Sequence, residues 1–167
     1  MVNPVARLTG TPEWSLAVSG FFLNFFWEMA QSPLYRDVAE RSYAEILVSR
    51  VHCTLGDVAI LLVAHGIVAW ARRDRQWVMN LRFRDLAAFT GLGLGYTLVS
   101  EWVNVDLRSA WGYAETMPRL PWIGTGLAPV LQWLILPTMT ARVSRRLLRG
   151  RGRPHDEPDC MGSTRDE

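Results

Sequence analysis

Two glutamates lie inside long apolar stretches, where a carboxylate is costly. Glu28 belongs to the apolar window 14–34 and Glu101 to the apolar window 86–105. Ionisable side chains in such stretches are expected to face other protein groups and to mark a functional site. Two carboxyl groups, one protonated by burial and one ionised, can carry out general acid and base chemistry. We therefore predict Glu28 and Glu101 as the catalytic residues.

Amide and aromatic side chains accompany both glutamates. Asn24 and Gln31 lie four residues before and three after Glu28, so that all three share one helical stripe, and Asn104 follows Glu101 by three. The predicted ligand-binding residues are Asn24, Gln31, Asn104, Trp111, Tyr113 and Gln132. The amides have an alternative role, which is to join neighbouring helices by hydrogen bonds.

The segment HCTLGD at 52–57 adds a histidine and a further carboxylate. Together with the two glutamates, His52 and Asp57 are candidate ligands of a divalent metal, although their spacing matches no specific ligand pattern. Asp57 also follows Thr54 by three residues, as in the capping box that begins a helix. The sequence leaves both interpretations of Asp57 open, and it leaves the cofactor unidentified, with a divalent metal as the candidate.

Four apolar windows must position these residues. They cover 14–34, 55–70, 86–105 and 122–141, close to the roughly 20 residues that a helix needs to cross a bilayer. Tryptophan, which concentrates at membrane interfaces, lies near their ends at Trp14, Trp27, Trp70, Trp102 and Trp122. The pattern predicts an all-α integral membrane four-helix bundle, and buried helices of a soluble protein are the weaker alternative.

Arginine placement predicts the orientation of the bundle. All 18 basic residues are arginine, and 13 of them precede the first window, join the second to the third or follow the fourth. The other five lie in the remaining two connections. Because short cytoplasmic connections carry the excess of positive charge, both termini are predicted to be cytoplasmic (N-in/C-in) and the polar groups to face outward. Arginine without lysine suits a GC-rich bacterial genome, so the predicted location is the bacterial inner (cytoplasmic) membrane, in a multi-pass form.

The sequence also makes predictions for the first outer connection, the C-terminal tail, the glycines and the cysteines. The alternation of apolar and charged residues over 36–52 predicts a short interfacial helix in the first outer connection. Residues 1–142 are predicted to form the transmembrane domain, and 143–167 a basic and then acidic, disordered cytoplasmic tail. Gly91 and Gly95 have the spacing of a close helix-packing face. Cys53 and Cys160 are too few for a disulfide framework.

These observations favour one function over two others. The leading hypothesis is a small membrane protein whose outward-facing polar site binds a small or amphipathic (lipid-like) ligand or a metal. In the enzymatic form of this hypothesis, the site also transforms the ligand. The alternative is a non-catalytic accessory or assembly subunit of a larger membrane complex, and a small transporter ranks last. Membrane lipids, a membrane-protein partner or a second copy are the expected partners, and nucleic acid is not. The segments NFFWEMAQSPLY and HCTLGD resemble those of small bacterial membrane proteins, which implies only the class.

Overall fold

The chain folds into an antiparallel arrangement of long helices. The computed structural model describes residues 10–151, and within that range it contains four α-helices and no β-strand. The helices are α1 Pro12–Gln31, α2 Tyr43–Arg72, α3 Phe83–Glu101 and α4 Leu127–Arg151. Each helix packs against its neighbours in the sequence, and α4 returns to α1. We call this set of packed helices the bundle, and its all-helical content confirms the predicted fold class.

Local sequence signals set the ends of the first two helices. The Thr11 side chain accepts a hydrogen bond from the backbone N–H of Trp14 and begins α1. Ser42 and Glu45 form a reciprocal capping box at the start of α2. This helix ends where Arg73 adopts a left-handed conformation with φ of 52°. The capping box at Ser42 matters for the site because it begins α2 early enough to place Arg50 inside the helix.

Two connections cover one end of the bundle, where α1 and α3 finish and α2 and α4 begin. After α1 come the short 3₁₀ helices Ser32–Leu34 and Arg36–Glu40, and after α3 comes the π-helical turn Trp102–Leu107. Tyr35 and Tyr113 pair as an isolated antiparallel bridge that joins the two connections. We call this end the capped end. The opposite end holds the 3₁₀ helix Trp77–Asn80 and an ion pair of 2.7 Å between Arg72 and Asp85.

Polar side chains are concentrated inside the bundle and apolar ones on its surface. The buried polar residues of the helices include Ser15, Ser19, Asn24, Glu28, Gln31, Arg50, Thr54, His65, Thr97, Glu101, Gln132, Thr140 and Ser144. Exposed apolar residues include Phe22, Phe26, Val48, Leu55, Val63, Trp70, Val99, Leu134 and Met139. Toward the opposite end the interior becomes apolar around Leu16, Leu61, Trp77 and Phe89. Buried polar side chains and exposed large apolar side chains thus occur together along the helices, whereas a water-soluble domain buries mainly apolar side chains.

One helix is long and apolar enough to cross a membrane by composition alone. That helix is α2, and only 17% of its most apolar 18-residue window is buried within the molecule. The core helix of a soluble protein would be mostly buried. Among the described residues, α2 is the one helix that has the length and composition of a membrane span.

The predicted interfacial helix over 36–52 is wrong. Residues 36–40 form a 3₁₀ turn, and residues 43–52 are the first turns of α2. The reason is the capping box at Ser42 and Glu45, after which no glycine or proline interrupts the helix before residue 55. The fourth window also begins too early, because α4 starts only at Leu127 and Trp122 has a positive φ of 71°.

The predicted domain boundary at residue 142 falls inside a helix. α4 continues to Arg151, so the basic segment that follows the fourth window extends the helix. Residues 1–9 and 152–167 lie outside the described residues, and with them the acidic part of the predicted tail.

The glycine that brings helices together is also not the predicted one. Nothing lies within 4 Å of a Cβ built on Gly91 or on Gly95. A Cβ on Gly93 would instead overlap the ring of Trp133 from α4. The period of a helix explains the difference, because Gly93 lies on the opposite face of α3 from Gly91 and Gly95.

Candidate functional site

A cavity of about 320 Å³ lies at the capped end of the bundle. All four helices and both connections contribute to its wall. Its lining includes the charged and polar side chains of Glu28, Gln31, Arg50, Asp57, Glu101 and Gln132. These six side chains, which come from separate helices, are therefore brought together around one open volume.

An ion pair between α1 and α2 forms one wall of the cavity. Nη1 of Arg50 lies 3.3 Å from Oε2 of Glu28, and both side chains are only 7% exposed. Gln31 donates from Nε2 to the other carboxylate oxygen of Glu28 at 2.7 Å. The guanidinium group of Arg50 also lies 5.0 Å from the centre of the Tyr35 ring, a cation–π contact. Glu28 is thus a buried carboxylate whose charge is compensated by a buried cation.

A network of side-chain amides joins α1, α2 and α4 next to this pair. Nε2 of Gln132 donates to Oδ1 of Asn24 at 3.0 Å and to Oδ2 of Asp57 at 2.9 Å. Oε1 of Gln132 accepts from Nε2 of Gln31 at 3.3 Å. The network holds Asp57 through a neutral donor, and a carboxylate so held keeps capacity to accept further hydrogen bonds.

Glu101 is held in a similar way by a tyrosine from the third connection. The Tyr113 hydroxyl donates to Oε2 of Glu101, and both residues are buried. The backbone bridge to Tyr35 holds the tyrosine in this position. Burial, together with the hydrogen bond to Glu101, raises the pKa of Tyr113 above its usual value of 10.0. Tyr113 is therefore a protonated donor at neutral pH.

Most of the predicted site residues meet in or around the cavity. Glu28, Glu101, Gln31, Trp111, Gln132, His52 and Asp57 all line it. Asn24 lies buried beneath the amide network, bonded to Gln132, and Tyr113 lies behind Glu101. The sequence predicted this convergence from stripes of polar residues on separate helices.

Asn104 is the exception. It donates to the backbone carbonyl oxygen of Ser100 at 2.8 Å and does not line the cavity. Asn104 leaves the stripe of Glu101 because α3 ends at Glu101 and the following residues form a π-helical turn. A wider turn shifts the residues that follow away from the stripe that a regular α-helix would have continued.

The start of α2 decides whether Asp57 is part of a helix cap or a site residue. Thr54 and Asp57 lie more than ten residues inside the helix, so the capping interpretation is wrong. His52 is on the exposed edge of the cavity, whereas Asp57 is bonded to Gln132. Within residues 10–151, no three His, Cys, Asp or Glu side chains are grouped closely enough to hold a metal ion.

Arg50 and Tyr35 are site residues that the sequence analysis missed. Arg50 was counted with the outer connection, whereas it lies two turns inside α2 and is 6% exposed. The sequence S-Y-A-E at 42–45 is the signal that would have found it. A helix begun by this capping box places Arg50 on one stripe with Thr54 and Asp57.

The comparisons with known proteins add no assignment. No family model, no curated protein and no solved structure matches this chain.

Proposed function

We propose that this protein is a multi-pass protein of the bacterial inner membrane, with all four helices crossing the bilayer. The main support is the reversed distribution of polarity, with polar groups inside and large apolar side chains outside. The buried polar residues of α1, such as Asn24, Glu28 and Gln31, face the interior, and the arginines of α4 are confined to its C-terminal turns. The surfaces that lipid would contact are apolar.

Helix length and tryptophan placement support the same proposal. α1 and α3 contain 20 and 19 residues, and a helix of that length spans about 30 Å, the thickness of a hydrocarbon core. Exposed tryptophans lie near both ends of the bundle, with Trp14 and Trp70 at one end and Trp102 and Trp122 at the other. Two such belts are typical of a protein that spans the membrane.

Within this bundle, the cavity binds a small or amphipathic ligand from the outer side of the membrane. The observation that carries the proposal is the burial of the Glu28–Arg50 pair beside two further carboxyls, Asp57 and Glu101, around open volume. A buried ion pair is often no more stabilising than apolar residues of the same size, so stability alone does not account for it. With a reactive ligand, the carboxyls are placed to donate and accept protons.

The accessory-subunit alternative draws less support from the geometry. In that hypothesis the polar stripes contact helices of a partner, but here they bond to one another inside the bundle. The surface available to a partner is mostly apolar. We therefore favour ligand binding.

The test compares the metals and small molecules that co-purify with the wild type and with three variants. Glu28→Gln and Glu101→Gln preserve shape and remove charge, and Glu115→Gln is the control because Glu115 is exposed in the third connection. Each protein is purified in detergent, and its content is measured by elemental analysis and by mass spectrometry of extracted small molecules. We expect a stoichiometric component in the wild type and in Glu115→Gln that is lost from the other two variants.

Two results would contradict the proposal. If Glu28→Gln and Glu101→Gln both fail to accumulate in the membrane while Glu115→Gln does, the glutamates are structural. If all three variants retain the same component as the wild type, the cavity is not its binding site. A polypeptide that co-purifies in fixed ratio, and is lost in Glu28→Gln, would favour the accessory subunit.

A further inference from the structure

The cavity opens on the side of the bundle, between α2 and α3. Its lining includes Cys53 and Gly56 on α2 and Tyr96 on α3, and all three are exposed at the surface. Tyr96 is 58% exposed. These residues lie along the helices and not in the connections that cover the capped end. Exposed lining residues also lie in the connections, at Arg41 and Ala110, so the cavity opens toward the capped end as well. We call the opening between α2 and α3 the mouth, and it faces lipid if the bundle spans a membrane.

The helix packing leaves room for this mouth. Of the adjacent helix pairs, α2 and α3 make the sparsest contact. Nothing lies within 4 Å of a Cβ built on Gly56, so the gap at this position is open and not filled by a neighbouring side chain. A Cβ at this position would contact no described atom, and a larger side chain would extend from it at the mouth.

An apolar track continues from the mouth toward the opposite end. On α2 the lining residues Cys53, Gly56 and Ile60 are followed at helical spacing by Val63 and Ile67, which are exposed. On α3, Leu92 lies one turn from Tyr96 and is also exposed. A single alkyl chain that left the cavity through the mouth would lie along these apolar side chains.

The charge inside the cavity indicates the kind of head group. Arg50 and Glu28 compensate each other, whereas Asp57 and Glu101 receive hydrogen bonds from the neutral donors Gln132 and Tyr113. Two carboxyls thus lie in the cavity in addition to Glu28, the one that the buried Arg50 compensates. A further arginine, Arg41, and His52 line only its exposed edge. An interior of this kind favours a positively charged group that donates hydrogen bonds.

We propose that the ligand is a single-chain amphiphile with an ammonium head group, which enters sideways between α2 and α3. The head group binds Asp57 and Glu101, and the alkyl chain stays on the apolar track outside the mouth. This inference rests on the proposed ligand-binding function and adds to it the route of entry and the chemical class of the ligand.

The experiment uses three probes of matched chemistry. Dodecylammonium has the charge and the chain, propylammonium has the charge alone, and dodecanol has the chain alone. Native mass spectrometry of the full chain released from micelles counts the molecules bound, and titration gives the affinities. We expect one dodecylammonium per chain, with propylammonium and dodecanol bound at least tenfold more weakly.

Two glycine variants test the route of entry. Gly56→Trp fills the mouth, and Gly66→Trp places the same side chain at an exposed position of α2 that also has no neighbour within 4 Å. We expect Gly56→Trp to weaken dodecylammonium binding at least tenfold and Gly66→Trp to leave it unchanged. Asp57→Asn and Glu101→Gln are expected to abolish the preference for dodecylammonium over dodecanol.

The outcomes separate this inference from the proposed function. Equal binding of propylammonium and dodecylammonium, unaffected by Gly56→Trp but lost in Glu101→Gln, would overturn the sideways entry and leave a ligand site in the cavity. Equal binding of dodecanol and dodecylammonium would overturn the ammonium head group. Binding of dodecylammonium that survives Glu28→Gln, Asp57→Asn and Glu101→Gln alike would contradict both the inference and the proposed site.

Discussion

The pairing of Glu28 with Arg50 is the strongest electrostatic feature of the site. Each group is nearly excluded from solvent, so each depends on the other for compensation of its charge. Asp57 and Glu101 differ from Glu28 because neutral donors hold them. The site therefore combines one charge-compensated ion pair with two carboxyls that keep capacity for a ligand.

Removal of one partner from the ion pair is expected to destabilise the protein more than removal of both. Arg50→Gln leaves Glu28 buried without a cation, and we expect a loss of about 3 kcal/mol in the free energy of unfolding. The double variant Glu28→Gln, Arg50→Gln should recover part of that loss. Unfolding in detergent, followed by circular dichroism, measures both, and Arg108→Gln, at an exposed position, is the control. Additive losses in the double variant would show that the pair is not coupled.

Tyr113 predicts a pH dependence at alkaline pH. Its pKa in the folded protein is raised by burial and by the hydrogen bond to Glu101, so the folded state keeps a proton that the unfolded state releases near pH 10. The stabilisation that comes from the raised pKa of Tyr113 is therefore fully present below pH 10 and is lost as the pH rises above it. We expect a smaller fall between pH 9 and pH 11 in Tyr113→Phe, measured by the midpoint of thermal unfolding. Tyr43→Phe, at an exposed position, should follow the wild type, and the same fall in Tyr113→Phe would refute the assignment.

At the scale of the elements, the sequence predicted the number and class of the helices but not all of their ends. The first and third apolar windows lie close to α1 and α3, because a long apolar stretch is typical of a helix that is shielded from water. The start of α2 was missed because local hydrogen bonding at Ser42, and not hydropathy, determines it. The π-helical turn after Glu101 was also missed, since a change of helical period leaves no mark in hydropathy.

The site residues could likewise be predicted only where the ends and the period of the helices were predicted correctly. Residues on regular α-helical stripes, such as Glu28 with Gln31, could be placed from their spacing. Arg50 could not, because its assignment depended on where α2 begins. Tyr113 was predicted from its type alone, and its contact with Glu101 depends on a backbone bridge between two connections that are distant in sequence.

The packing of α3 on α4 depends on one glycine, and this can be tested with matched neighbours. A Cβ on Gly93 would overlap the Trp133 ring, whereas Gly95 has open space around it. We expect Gly93→Ala to lower the free energy of unfolding by about 1–3 kcal/mol. Gly95→Ala should raise it by up to about 1 kcal/mol, since alanine is the better helix former. Chemical unfolding in detergent measures both, and equal effects at the two positions would contradict the packing of Trp133 on Gly93.

For the whole molecule, the arginines and the site give a consistent orientation. Arg72, Arg73 and Arg75 lie at the opposite end of the bundle, and the basic last turns of α4 lie at that end too. Arg50 was counted on the other side, but it is buried in the site, so it adds nothing to the charge of the outer connections. Among the described residues, seven exposed arginines lie toward the opposite end and four at the capped end, so the excess of exposed positive charge is at the opposite end.

This asymmetry predicts that the capped end, and with it the mouth of the cavity, faces away from the cytoplasm. A fluorescent protein that folds only in the cytoplasm should be active when it is fused after Arg153. Alkaline phosphatase, which is active only in the periplasm, should be active when it is fused after Glu115 in the connection that covers the site. Phosphatase activity after Arg153, with none after Glu115, would reverse the orientation. The carboxyls of the cavity would then face the cytoplasmic leaflet, where the ligand would have to be sought.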